Sequence, residues 1–288
     1  MFHTGDYVGI VACSNGLRKE KEKEVEQLRR CLSQMGLIPV TSSHIYEKYA
    51  IFSGSGKERA QELMQFVRDQ KVKAIFDISG GDLANQLLEY LDYEEIRRQE
   101  KPFFGYSDLS VLLNGIYHKT GINTYLYQVC NLVREDYEAQ RKRFFGTFFE
   151  RQDSIYEAQW RFLQGEAIEG IVVGGNIRCL LKLAGTPYFP DLTDRVLFLE
   201  SLGGEEGVMT AFFTQLRQMG VFGKVRGILL GTFTKMQQRE RLISIEALLQ
   251  KIVDDPTLPI AKTEQIGHGA DARCLVIGSK IEIHKKNA

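Results

Sequence analysis

Three apolar runs in this sequence end on residues able to do chemistry. AIFDIS (residues 74–79) runs into Gly80 and Gly81, PFFGYS (residues 102–107) delivers Ser107 and Asp108, and VLFLE (residues 196–200) stops at Glu200. In open α/β sheets, ligands sit at the carboxyl ends of strands, so such ends are where a site is expected. A glycine pair there lets the backbone approach a ligand and aim N–H groups at it; the same pair also suits an ordinary tight turn. A serine on a strand-to-helix turn exposes its hydroxyl as a nucleophile would need. Ser and Asp at that place equally suit a helix cap.

A nucleophilic serine needs a base, almost always histidine, and an acid to orient it. Of five histidines, His3 is near the start, His118 falls at a helix end, and His44 and His284 have polar neighbours. His268 differs, because IGHGADARCLVIG places it between two glycines just before a strand. GGDLAN lacks the GxGxxG spacing of dinucleotide binders, and no GxxxxGK[ST] loop, HExxH pair or Cys/His cluster occurs. These absences give no support to a nucleotide cofactor or a metal, and they leave His268 open between a catalytic base and a structural histidine.

The elements that must hold these residues follow a strand–helix rhythm. Strands are predicted at residues 7–13, 37–40, 74–79 and 102–107, with helices over 18–35, 57–70, 84–91 and 109–117 between and after them. The rhythm breaks over residues 130–165, rich in charge and aromatics, a connecting stretch with no clean strand pattern in which a helix is open. It resumes with GIVVGGN, a helix over 177–183, VLFLES, a helix over 209–219, VRGILLGTF and a helix over 244–253. Such alternation argues for parallel sheets with helices on both faces. The expected division is a first α/β domain over 1–130, a connecting segment over 131–168 and a second α/β domain over 169–288.

Composition narrows the partners. Lys plus Arg equals Asp plus Glu at 37 each, which removes the electrostatic argument for nucleic acid or an anionic membrane. No apolar run reaches the ~18 residues of a membrane span. The start, MFHTGDYVGIVAC, lacks the basic-then-apolar pattern of a signal peptide, and the five cysteines are scattered and odd in number. Both point to reduced thiols in a cytoplasmic protein.

With its GYSD box and its GGN…GTPY…P box, in order with GDYVGIVACSNGL, VLFLES and IGHGADARCLVIG, the chain resembles the LD-carboxypeptidase family of serine peptidases. That family includes murein tetrapeptide carboxypeptidases and microcin C self-immunity peptidases. The resemblance implies a flavodoxin-like (class I amidotransferase-like) parallel-sheet domain carrying the nucleophile, followed by a C-terminal α/β domain carrying the acid and base. It places the nucleophile at Ser107, the acid at Glu200 and the base at His268, and an oxyanion hole in the backbone N–H groups of Asp108, Gly81 and Gly80. A substrate contact at Asn176, a homodimer and a small peptide substrate ending in D-alanine are further expectations, with a peptidyl-nucleotide substrate as the alternative and a non-catalytic ligand-binding protein as the rival class. The chain departs from the family's usual pattern at SGGDLAN, at NTYLYQV after Gly121 and at Ser201 after the acid.

Overall fold

Buried strands alternating with amphipathic helices build two six-stranded sheets in the computed structural model, which describes residues 1–238 and 242–285. The tail of the expected second domain, 286–288, lies outside the described residues. In the first sheet β1 (Tyr7–Val11), β2 (Ile38–Thr41), β3 (Val72–Asp77), β4 (Phe103–Gly105) and β5 (Thr124–Leu126) run parallel in the order β5-β4-β3-β1-β2. The second sheet has an antiparallel edge, β6 (Arg161–Gln164), beside the parallel strands β7 (Ala167–Asn176), β8 (Arg195–Ser201), β9 (Gly227–Phe233) and β10 (Ile260–Lys262). The chain then crosses back. Strand β11 (Leu275–Ile277) pairs antiparallel with β5 of the first sheet, and β12 (Lys280–His284) returns to pair with β7 of the second.

Helices cover the faces because their apolar positions recur at helical spacing. On one side of the first sheet, α1 (Glu22–Gln34) presents Leu28 and Leu32 towards Phe76 and Phe104. On the other, α2 (Gly56–Arg68), α3 (Tyr93–Gln99) and α4 (Ser110–Thr120) bury Leu63, Val67, Ile96, Leu112 and Ile116 with Ile75 and Phe103. A capping box of Ser55 and Glu58 starts α2. That helix lies so close to β1 that a Cβ on Gly9 would fall 2.7 Å from the Phe66 ring. The core of this face runs on into Val172, Val196 and Phe198 of the second sheet, so both sheets share apolar packing.

One segment differs from the sequence expectation. Residues Ala84–Tyr90 wind as a tighter 3₁₀ helix. Its first residue is tied by the Ala84 N–H to the Asp108 carboxylate, and Gln86 accepts from the Arg59 guanidinium, which fixes the segment from outside. The connecting stretch, where the sequence leaves a helix open, forms one, α5 (Tyr137–Glu150), whose Phe144 and Phe148 complete the face that α1 covers. In the second sheet α6 (Ile177–Leu181), α7 (Glu206–Gln218), the short α8 (Thr234–Gln237) and α9 (Ile245–Val253) follow, with Phe213, Leu216 and Leu249 packed on Leu197, Leu199 and Leu230.

Candidate active site

The end of β4 turns sharply at Ser107, whose φ of +55° lies in the left-handed region. A non-glycine residue held there costs of order 1–2 kcal/mol and persists only where its surroundings enforce it. Tyr106 precedes in extended conformation, and Ser107 and Asp108 open a 3₁₀ turn that leads into α4. The first N–H groups of such a turn have no intrahelical acceptor, so those of Ser107 and Asp108 point out of its start. Opposite lies the Gly80–Gly81 turn. A Cβ at Gly80 would sit 3.9 Å from the Ser107 Cβ, and Gly81 has φ +125° with no room for a side chain against Asn15. Neither glycine N–H donates to any described residue.

Glu200 arrives from the second sheet. It is the penultimate residue of β8, where the pairing with β9 shifts register between Leu199 and Ser201, and its carboxylate is fully buried. One oxygen is 2.6 Å from His268 Nδ1, and the other accepts from the Asn176 side-chain amide at 3.0 Å. The loop carrying His268 is laid across the end of β9: Thr232 N–H donates to the Ile266 carbonyl, and His268 N–H donates to the Thr232 hydroxyl. His268 Nε2 then lies 3.2 Å from Ser107 Oγ. A carboxylate only accepts, so Nδ1 carries the proton and Nε2 turns a lone pair towards the serine. The Tyr106 ring covers the imidazole at 4.5 Å between centroids. Burial pushes the Tyr106 phenol well up from its ordinary value, the Glu200 charge adding to the effect.

Below this chain, polar contacts tie the sheets together. Asp108, fully buried, accepts from Ser14 Oγ at 2.6 Å and from the Ala84 N–H at 2.9 Å, and its other oxygen meets the Lys182 ammonium at 2.5 Å. Arg178, on α6, pairs with Asp82 and donates to the Gly81 carbonyl at 2.8 Å. Asn114 of α4 exchanges two 2.8 Å hydrogen bonds with the backbone of Gly174, and Ser110 Oγ accepts from the Asn176 N–H. Beneath the glycine turn, buried Asp77 accepts from the N–H groups of Cys13 and Ser79 and from the Ser79 hydroxyl. Burial raises its pKa despite those donors.

Two hollows open at this end of the sheets, one against His268 and one against Gly80. One, about 480 Å³, is lined by Lys21, Glu24, Asn131, Arg134, Glu135 and His268. A smaller one, about 140 Å³, reaches Ser79 and Gly80 and shares Lys21, Glu24 and Arg134 with the first.

The structure therefore brings Ser107, Glu200 and His268 from three strand or loop ends into one hydrogen-bonded line, with Asp108, Gly80 and Gly81 around the serine. Asn176 joins them from below. Its side-chain amide is directed at Glu200, and its oxygen accepts from the Cys179 N–H as the cap of α6. Sequence reasoning missed Ser14, Lys182 and Arg178. For Ser14 a signal existed: CSNG, at the end of the first strand, is a fourth polar strand end. Nothing in the spacing of Lys182 betrays its partner. No group of three or more His, Cys, Asp or Glu side chains able to hold a metal occurs among the described residues, and none of their helices is long and apolar enough to cross a membrane.

Comparison with known proteins gives the same site a family. The model of the LD-carboxypeptidase N-terminal domain matches residues 8–127, and that of its C-terminal domain matches residues 169–283. The chain is 28% identical to the Escherichia coli microcin C7 self-immunity protein MccF, over 82% of this chain and 78% of that protein. It is 26% identical to a Bacillus subtilis (strain 168) protein described as a probable murein peptide carboxypeptidase, over 96% and 88%. Among solved structures, an MccF-like protein from Bacillus anthracis str. Ames superposes with a TM-score of 0.86 at 26% identity, over 99% of this chain and 95% of that one. The muramoyltetrapeptide carboxypeptidase from Oxalobacter formigenes shares the fold, with a TM-score of 0.83 at 21% identity over 97% and 95%. The chain belongs to the LD-carboxypeptidase family of peptidases.

Proposed function

We propose that this peptidase is a serine LD-carboxypeptidase that removes a C-terminal D-amino acid, D-alanine, from a murein peptide. The observation that carries the reading is the line Ser107–His268–Glu200, with the serine on a left-handed turn. Ser107 Oγ attacks the carbonyl of the L-residue while His268 Nε2 takes its proton. Glu200 holds the imidazole in that tautomer and stabilises it when charged. The tetrahedral oxyanion is received by the N–H of Asp108 and of Gly80 or Gly81, donors fixed before the reaction begins, an arrangement whose loss typically costs ~3–4 kcal/mol of transition-state stabilisation. His268 returns the proton to the leaving amine, and water then releases the acyl group by the same steps in reverse. Asn176 acts here as a positioning residue, through Glu200.

The competing reading is hydrolysis of the amide in an aminoacyl-nucleotide, favoured by the similarity to MccF. Against it, the stretch after the acid, Ser201-Leu202-Gly203-Gly204, supplies no cation for a nucleotide's anionic link. The test is mass spectrometry of purified protein incubated with a murein tetrapeptide ending in D-Ala and, separately, with an aminoacyl-sulfamoyl-adenosine. Release of D-Ala from the first, with the second left intact, supports the proposal; cleavage of the second alone refutes it. The setting we infer is cytoplasmic recycling of muropeptides by a homodimer.

A further inference from the structure

A carboxypeptidase must recognise a free terminal carboxylate, and geometry restricts where. The leaving nitrogen and the carboxylate belong to one residue, so the carboxylate lies within about one residue's span, ~3.8 Å, of the nitrogen that His268 protonates. A cation that receives it must share the hollow that His268 opens into. Among the described residues, four cations approach the region. Lys182 is held by the buried Asp108 carboxylate and donates to the Asp82 carbonyl, and Arg178 is held by Asp82 and the Gly81 carbonyl. Both lie beneath the serine and already have partners. Lys21 and Arg134 line the hollow with His268.

These two differ in what they still offer. Lys21 gives its ammonium to Glu24 at 2.6 Å. Arg134 donates only through Nε, to the other oxygen of Glu24 at 2.5 Å, and its two terminal nitrogens donate to no described residue. Its side chain is 38% exposed and lines the smaller hollow beside Gly80 as well. Glu24 is thus clamped between two cations and fixes the guanidinium from behind, while the trio keeps one net positive charge. A planar fork held at its base with its prongs free is the geometry that receives a carboxylate through two parallel hydrogen bonds. Glu135, also on the rim, is exposed, and its charge is well solvated.

We propose that Arg134, oriented by Glu24, receives the terminal carboxylate of the substrate and so confines this peptidase to the last residue of a chain. The assignment rests on the LD-carboxypeptidase reading above. Because a charge-assisted pair contributes more than a neutral one, the free acid should be preferred over its amide by about 10- to 100-fold.

The test compares kcat/KM on two substrates, a tetrapeptide ending in D-Ala and the same peptide ending in D-alaninamide, for the wild type, Arg134→Gln and Arg134→Lys. The wild type should favour the acid. Arg134→Gln should lose that factor on the acid, chiefly through KM, and little on the amide; Arg134→Lys should keep part of it, as charge without the fork. Thermal melting near the wild type establishes that both variants fold. Retention of the full acid preference in Arg134→Gln, or an equal loss on both substrates, overturns the role of Arg134. A wild type that cleaves neither peptide but cleaves an aminoacyl-nucleotide overturns the carboxypeptidase reading itself, and the assignment with it.

Discussion

Lys182, at the end of α6 in the second half, sets its ammonium 2.5 Å from the fully buried carboxylate of Asp108, the residue that follows Ser107 in the first half. This ion pair joins the two halves immediately behind the serine. Removing one partner of a buried pair is far more damaging than never having had it, because the remaining charge stays desolvated. Lys182→Met should lower stability by about 2–4 kcal/mol, somewhat below a fully buried pair because the lysine is 19% exposed. The double variant Lys182→Met/Asp108→Asn should recover part of the loss. Denaturant titration of the wild type, Lys182→Met, Asp108→Asn and the double variant gives the coupling; a sum of independent effects would mean that the pair is only a surface contact.

The left-handed turn at Ser107 makes a second prediction, in which activity and stability separate. Ser107→Ala and Ser107→Gly should both abolish turnover. Glycine adopts φ of +55° without the Cβ clash, so Ser107→Gly should be more stable than Ser107→Ala by about 0.5–1 kcal/mol, after its own entropy cost. Denaturation midpoints of the two inactive variants check this. Equal midpoints would show that the turn is unstrained.

A third prediction concerns the residue behind the base. Glu200→Gln should lower kcat by about two to four orders of magnitude with little change in KM, as the corresponding Asp-to-Asn change does in serine proteases with a Ser-His-Asp triad. Asn176→Ala should act in the same direction but by about 10-fold, because Glu200 loses a hydrogen bond rather than its charge. If Asn176 instead touched substrate, KM would rise while kcat held. Steady-state kinetics on one peptide separate the two.

The fourth is a pH effect at Glu24. Burial alone would raise its pKa, but hydrogen bonds from Lys21 and Arg134 and their charges outweigh this, and the net shift is below the ordinary carboxylate value. A carboxylate depressed in the folded state stabilises the fold above its unfolded pKa, and loses that contribution as pH falls through the folded value. Glu24→Gln should therefore be less stable than the wild type at pH 7, with the difference vanishing on acidification below the carboxylate range. A gap that persisted in acid would assign the effect to packing.

How much of this is legible in the sequence depends on the range of each interaction. Strand ends are local features: AIFDIS, PFFGYS and VLFLE each end on a chemically capable residue, so Ser107, Glu200 and the glycine turn are visible there, and two flanking glycines mark His268. Helix α5 is open but not fixed by the sequence, because its aromatics fall on more than one face; Phe144 is buried while Phe145 is 37% exposed and stacks on Phe149. Lys182 on Asp108, Asn176 under Glu200 and Arg134 on Glu24 join residues far apart in sequence, and no periodicity encodes such pairs. Strand β11 is three residues long and pairs across sheets, so its apolar run gives no hint of which edge it joins.

That crossing strand also dictates an order of assembly. The first sheet presents Leu126 and its neighbours on β5 as an unpaired edge until Leu275 to Ile277 arrive to cover it. During synthesis the serine's half of the molecule is thus made long before its edge is closed, and the segment that closes it lies just beyond the loop bearing His268. The loop that places His268 and the strand that seals the edge are therefore among the last of these pieces to be synthesised. On the proposed mechanism, a nascent chain would hold the serine turn before His268 reaches it, so the same late step that protects the sheet from pairing with a neighbouring chain would also complete the triad.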